Sequence, residues 1–464
     1  MDLKGKRVVV IGTGIGGAGV AALLAKEGAE VLALERNSFP GGKSATFERE
    51  GFRYDTGVHW VARGDKGPLG EISRLVGGDL RFRVMEPAIR IMVGGRSSDL
   101  TQDIDNEKEL DRVFEELGVL PENREGAKEF FRDVMRPRTP EEIAELDGYP
   151  LSEYLLRFTQ DPQFMLLISG FIGMYLVISP KQASTGEFIL NFASQARERN
   201  LSYPLGGMGA IPQDYIDALL RMGGEVRYST PVSRILVENG RASGVETEAG
   251  EIIRADLVIS NNGIKETVEM AGRHNFPPDY LEMVDRLRLS LGVVSIKYAL
   301  DAEVVSPHFI YYFPTPDLMD TQVGLMCPVP SAADPSLAPP GCQLVLAGAP
   351  TTPYLDDPEE ADALSEEMLD KIENTMRYLF PDIEKHVIWK LRTNTRYTAS
   401  ISGRRSGEVI GVAQNRHQVG KKRPSSRTPV EGLYLVGADA GGRGVGTEMA
   451  ADSALNLWRM LQGS

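Results

Sequence analysis

Val8-Val9-Val10-Ile11-Gly12-Thr13-Gly14-Ile15-Gly16-Gly17 stands near the start of the chain, and Val31-Leu32-Ala33-Leu34-Glu35 follows it. The order reads as strand, glycine turn, helix, strand, acid. Each residue type has work to do in holding a dinucleotide. Gly12 allows a tight turn, Gly14 lets the backbone approach a pyrophosphate, and Gly17 lets the helix pack on the sheet. The helix that opens here directs unpaired N–H groups and a partial positive charge at phosphates. Glu35 is placed to accept hydrogen bonds from the ribose hydroxyls of an adenosine. Glycine fills 49 of 464 positions, so the bare spacing carries roughly half a chance match and proves little. Context raises it to a prediction. An amphipathic helix over 18–26, the second strand and the terminal acid all fall in register. A signal peptide is the competing reading, since Lys4, Lys6 and Arg7 precede the apolar stretch. Asp2, and the loss of the first βαβ unit on cleavage, argue against it.

A chain of 464 residues is long enough for two or three compact units and a buried cofactor. Hydrophobic residues at 42% and charged residues at 25% are ordinary for a globular protein. A formal charge of −14 opposes attraction to nucleic acid, which needs clustered Lys and Arg. The two cysteines, Cys327 and Cys342, form no CxxC and read as reduced thiols of a cytoplasmic protein. Five histidines without Cys/His pairing at ligand spacing give no metal site. No apolar run reaches the roughly 20 residues of a spanning helix. The nearest, 164–178, reads as a buried helix, as the wall of a lipophilic tunnel, or as a surface that dips into a membrane.

Two further stretches belong with the first. Residues 225–262 form a meander with turns at Asn239-Gly240 and Ala249-Gly250, ending in the strand-like Leu257-Val258-Ile259-Ser260-Asn261. Near the C-terminus, Leu433-Tyr434-Leu435-Val436-Gly437-Ala438-Asp439 is again strand, glycine, acid, and 441–446 lead into a helix over 447–461. Between them, 80–197 is rich in helical patterns, including 107–117 and 122–135. Residues 267–396 mix strand-like runs at 293–300 and 308–313 with a Pro-rich loop and a helix over 357–379.

The ends of the chain resemble the phytoene desaturase-like flavoproteins, the branch of the FAD-dependent amine oxidase superfamily that holds carotenoid desaturases, carotenoid isomerases and retinol saturases. The resemblance runs from Val8 through Pro40-Gly41-Gly42-Lys43 to Gly51-Phe52-Arg53-Tyr54-Asp55-Thr56-Gly57, and again from Arg423-Pro424 through Thr428-Pro429-Val430-Glu431-Gly432 to Ala438. It covers about a third of the chain. It implies an α/β fold in which a Rossmann-like FAD-binding domain is assembled from discontinuous segments, 1–79, 198–266 and 397–464. A second, mixed α+β substrate domain would comprise 80–197 and 267–396.

The resemblance also implies non-covalent FAD. Gly12, Gly14 and Gly17 would hold its pyrophosphate and Glu35 the adenosine ribose, with Ile15, Gly16 and Arg36 also among the cofactor-binding residues. Gly42 and Lys43 occupy a site where the family usually has Gly-Gly-Arg; lysine keeps the charge but loses the forked donors. Val232 matches the position whose backbone pairs with adenine, and Asp439 the acid near the ribityl-pyrophosphate. Asn261, Gly437, Gly446, Thr447 and Met449 complete the cradle, and the helix starting near Thr447 would stabilise charge on the reduced ring. Gly57, Val58 and His59 would lie by the isoalloxazine, with His59 the catalytic candidate; a lone histidine is more often structural. Glu448, an acid in a first helical turn, reads equally well as a complement to the dipole.

Flavin would carry the redox chemistry, which accounts for the scarcity of acid–base motifs. Gly206-Gly207-Met208-Gly209 follows Tyr203-Pro204 and does not read as a second dinucleotide site. The expected activity is desaturation, saturation or isomerisation of carbon–carbon bonds in a lipophilic polyene or isoprenoid. A flavin amine oxidase is the alternative, with Lys297 as the lysine that holds a water near N5, although its alternation with Val293 and Ser295 fits a solvated strand face better. A non-catalytic flavin-binding lipid carrier or redox sensor is a third reading. The basic stretch 416–427 reads as a mobile solvated loop, or as peripheral contact with the inner face of a membrane. Oligomeric state has no signature.

Overall fold

The computed structural model describes residues 2–57, 60–93, 95–306, 309–313, 324–353 and 357–463. Its first layer is a parallel five-stranded sheet in the order Leu433–Leu435, Leu257–Ser260, Arg7–Ile11, Glu30–Leu34, Glu225–Arg227. Three distant stretches of chain therefore meet in one sheet, and Arg7–Ile11 lies at its centre. Such strands are buried on both faces and read as near-continuous apolar runs, as Val8 to Ile11 does.

The helix Ile15–Lys26 is not amphipathic as the sequence suggests: every residue from Ile15 to Ala25 is buried. It is wrapped by the sheet and by the helices Ala210–Arg221 and Gly446–Gln462. Its small side chains allow this. A Cβ added at Gly19 would stand 3.0 Å from Ile72 Cδ1. On the other face the strands Val232–Glu238, Arg241–Thr247 and Ile252–Arg254 form an antiparallel sheet. Glu225–Arg227, read as part of that meander, instead pairs with Glu30–Leu34.

The second layer is a seven-stranded sheet drawn from both intervening stretches. Its order is Val387–Thr393, Gly292–Leu300, Gln343–Thr351, Leu325–Pro328, Phe309–Phe313, Ile89–Val93, Arg96–Leu100. The helix Pro358–Leu379, N-capped by Asp357, covers one face. A cap of helices between 107 and 198 covers part of the other and packs Phe114, Phe130, Phe131, Phe164, Phe188 and Phe192 into one cluster. The apolar run becomes the helix Pro162–Leu176, started by Asp161, whose carboxylate accepts from the N–H of Gln163 and Phe164. It is buried, as the plainer reading has it, and its C-terminal end, with Met174 and Tyr175, also lines a cavity. Gly170 is what lets it close on the sheet, since a Cβ there would meet Phe313 at 2.1 Å. No described helix is long and apolar enough to cross a membrane.

Candidate functional site

A cavity of about 740 Å³ opens at the C-terminal ends of the parallel strands and runs between the two sheets. Crevices at this edge are where open α/β sheets bind ligands. Its polar arm is lined by Gly12, Gly14, Ile15, Gly16, Glu35, Arg36, Gly42, Lys43, Val232, Asn261, Gly437, Gly446 and Thr447. Gly57 also reaches it. Val58 and His59 lie outside the described residues.

The glycines divide their labour differently from the expectation. Gly12 has φ +88°, the left-handed conformation that favours glycine. Gly14 does not simply leave room for a ligand: its missing Cβ would stand 2.7 Å from Asn261 Nδ2. At Gly16 a Cβ would stand 2.9 Å from the Gly437 nitrogen, so this glycine joins the first turn to the last. Gly17 packs inward, with a Cβ position 2.0 Å from the Gly12 carbonyl, and does not line the cavity. Asn261, one residue beyond its strand, is thus the wedge between two glycine turns that are more than 400 residues apart.

Glu35 is buried, and its carboxylate is already engaged. One oxygen accepts from the N–H and hydroxyl of Thr13, both at 2.8 Å, and the other from the N–H and side-chain amide of Asn37, both at 2.9 Å. A ribose would share an acceptor that the turn has pre-positioned.

Asp439 needs a correction. The resemblance implies a place near the ribityl-pyrophosphate, but the side chain stands behind the cavity wall, 1% exposed. There it accepts from the N–H of Ile264 at 3.0 Å, the N–H of Val412 at 2.8 Å and Arg404 Nη1 at 2.9 Å. Burial pushes its carboxyl up, yet Arg404 and the two backbone donors outweigh that and hold it below the usual carboxylate range. Met449 is likewise behind the wall, packed with Val177 and Ile410. A helix interior buries that face, while the unpaired N–H groups of the first turn at Gly446 and Thr447 are what meet the cavity.

Arg404, which the sequence reading missed, does line the cavity. Its Nη1 also donates to Glu408 at 2.8 Å. Lys43 lines it too and donates to the Glu408 carbonyl at 3.1 Å. Burial, helped by the nearby Arg404 charge, lowers the Lys43 ammonium to about 8.

The apolar arm is walled by Trp60, Ala62, Met174, Tyr175, Val293 and Met326, with Val177 and Ile410 beside them. The Tyr175 hydroxyl is held by Gln195. Val177 ends the apolar helix at φ +54°. For a β-branched residue that conformation costs about 1–2 kcal/mol, and it turns the chain along the cavity edge.

Lys297 is no part of a solvated face. It is fully buried and bonds to the Thr56 carbonyl at 3.0 Å, Ser295 Oγ at 2.8 Å and Thr393 Oγ1 at 2.7 Å, beneath the turn that carries Gly57. Burial lowers it to about 7. Glu448 is also buried and accepts from the Arg63 backbone at 2.7 Å and its Nε at 2.8 Å, so it is an ion-pair partner rather than a free complement to the dipole. Ser202–Pro204 proves to be a strand, paired with Phe82–Val84, so Gly206–Gly209 does follow one. The helix start beyond it is nevertheless filled: Asp55 accepts from the Met208 N–H and Thr46 from that of Gly209. In the basic stretch, Arg423 is buried and donates to the carbonyls of Ala438 and Val412, which anchors a segment read as mobile; Lys421 and Lys422 are exposed. Both cysteines are free, and Cys327 is buried against Met376.

The family described as flavin containing amine oxidoreductase matches residues 18–456. Prolycopene isomerase from Daucus carota is 26% identical over 92% of this chain and 75% of its own. A zeta-carotene-forming phytoene desaturase from Myxococcus xanthus is 25% identical over 94% of this chain and 90% of its own. The crystal structure of an oxidoreductase from Methanosarcina mazei superposes with a TM-score of 0.76 at 22% identity, covering 97% of this chain and 99% of that one. The chain thus belongs to the flavin containing amine oxidoreductase family, as an enzyme of its carotenoid desaturase-like branch.

Proposed function

We propose that the chain binds FAD non-covalently in this cavity and desaturates, saturates or isomerises carbon–carbon bonds of a lipophilic polyene or isoprenoid. The residues fit the cofactor. The cradle formed by Gly12, Gly14 and Gly16 is closed by Asn261 and Gly437, and the open first turn of Gly446–Gln462 meets the same space. FAD, when bound, supplies the redox chemistry, exchanging a hydride through N5 of its ring. The chain's own residues orient the substrate and keep water away. Trp60, Met174, Val293 and Met326 do this with apolar surface.

The observation that carries the reading is the division of charge along the cavity. Its charged lining residues, Glu35, Arg36, Lys43, Glu248, Glu266, Glu269, Arg404 and Arg405, gather about the nucleotide arm, and no described residue of the apolar arm carries a charge. A protonated amine entering there would find no carboxylate. It would find no aromatic cage either. Trp60 and Tyr175 meet edge to face, with centroids 5.2 Å apart and planes at 83°, which leaves no slot between them. Lys297 bonds to protein oxygens and holds no donor toward the cavity.

The test is reconstitution with FAD, acid precipitation to release it, and anaerobic incubation with cis and trans polyenes. A yellow holoprotein that yields free FAD and shifts the polyene spectrum is expected. Failure to take up FAD, or amine turnover with peroxide release and no polyene reaction, overturns the reading. We further propose cytoplasmic peripheral contact with an anionic membrane through Lys421 and Lys422. Pelleting with anionic vesicles that is lost in high salt supports it, and absence from the pellet at low salt removes it.

A further inference from the structure

We propose that Arg404 grips the pyrophosphate of FAD, and that Asp439 and Glu408 are positioning residues that aim it. The inference deepens the FAD reading and rests on it. Asp439 cannot touch a ligand in the cavity, because it lies behind the wall with three donors on its carboxylate. Arg404 stands between it and the cavity.

The way Arg404 is tied is the telling feature. Both carboxylates are served by one nitrogen, Nη1, at 2.8 Å to Glu408 and 2.9 Å to Asp439. No described residue accepts from Nε or Nη2. A guanidinium held only for structure would spread its donors over its partners, since leaving N–H groups unmade inside a protein is costly. Here one edge is clamped, and the opposite edge is left on a residue that lines the cavity. That edge is a planar pair of donors suited to two phosphate oxygens.

The neighbours agree with a phosphate. Nη1 lies 3.2 Å from the Cβ position of Gly263 and 3.1 Å from that of Gly411, so the guanidinium is threaded between two residues that lack side chains. Lys43 joins it through the Glu408 carbonyl. The Lys43 ammonium is a point charge without forked donors, and the planar guanidinium of Arg404, from the other end of the chain, supplies them in the same arm. The carboxylates of Glu408 and Asp439 offset the charges of Lys43 and Arg404, and Glu266 lies near both cations as well. Arg404 at the same time screens Asp439 from the pyrophosphate. Two attached carboxylates also keep the guanidinium protonated despite burial.

The experiment measures binding to the apoprotein of FAD, ADP and AMP by calorimetry, with thermal unfolding as a check on folding. Arg404→Gln is expected to weaken FAD and ADP at least tenfold and AMP, which has no pyrophosphate, about twofold or less. Should that variant fail to fold, Arg404→Lys decides. It keeps the charge against Asp439 and Glu408 but has one nitrogen, so it cannot clamp and grip together, and a tenfold loss for FAD and ADP is expected. Unchanged FAD and ADP binding in a folded variant, or an equal loss for AMP, overturns the role of Arg404. Wild-type protein that binds none of the three overturns the FAD reading itself.

Discussion

Lys297 is bonded through Nζ to the carbonyl oxygen of Thr56 at 3.0 Å, across 241 positions of sequence. It ties the seven-stranded sheet to the turn that brings Gly57 to the cavity. Replacing it with methionine leaves that carbonyl unpaired, at a cost of about 1–3 kcal/mol. The cost depends on pH. The folded state lowers the ammonium from 10.5 to about 7, so between those values the unfolded chain binds more protons and wild-type stability rises with pH, by about 1 kcal/mol per unit. Urea unfolding from pH 7 to 9.5 should show the gap between wild type and Lys297→Met widening as pH rises; a constant gap would contradict the buried titration.

The glycine turn makes an ordered prediction. Gly17→Ala drives a Cβ to 2.0 Å from the backbone oxygen of Gly12, which cannot move aside, and should abolish FAD retention and lower the unfolding temperature. Gly14→Ala meets the end of the Asn261 side chain at 2.7 Å. It should weaken FAD about tenfold, and adding Asn261→Ala should recover part of the loss. Flavin absorbance after desalting reads both.

Lys43 is expected to set the pH dependence of the proposed FAD binding. Burial and Arg404 place it at about 8 without a ligand, and a pyrophosphate alongside raises it. Binding then takes up a proton above pH 8, so FAD affinity should be flat below 8 and fall above it, by no more than tenfold per unit. Lys43→Arg, which stays charged, should flatten the curve and keep tight binding; Lys43→Met should flatten it at weaker affinity. Fluorescence titration across pH 7–10 separates the three.

Glu448 and Arg63 form an ion pair whose acid is 2% exposed. Glu448→Ala strands a guanidinium that is mostly covered and should cost about 3–5 kcal/mol. Glu448→Gln keeps an acceptor and should cost less. Equal stability of the two variants in guanidinium unfolding would show that a neutral acceptor recovers nothing and that the lost charge carries the whole effect.

The strand–turn–helix at the start of the chain was readable because every residue in it answers to a local demand: a positive φ at Gly12, period-free apolar strands, a helix opening. Residues 107–117 and the strand-like run 293–300 were readable for the same reason, as the helix Glu107–Leu117 and the strand Gly292–Leu300. Lys297 was misread because alternation reports a wet face only when one face of a sheet is wet. Gly292–Leu300 lies between two other strands and is covered on both sides. Arg404 had no signal beyond an Arg-Arg pair after a glycine.

From residue order alone came the glycine turn between strand and helix, the three-part sheet and the apolar helix, since backbone geometry and periodicity are properties of neighbours along the chain. The folded molecule alone settled that Asp439 is an anchor, that Arg404 faces the cavity and that Lys297 is sealed beneath Thr56. Burial and charge pairing depend on groups brought together from positions up to hundreds of residues apart, and no local pattern encodes them.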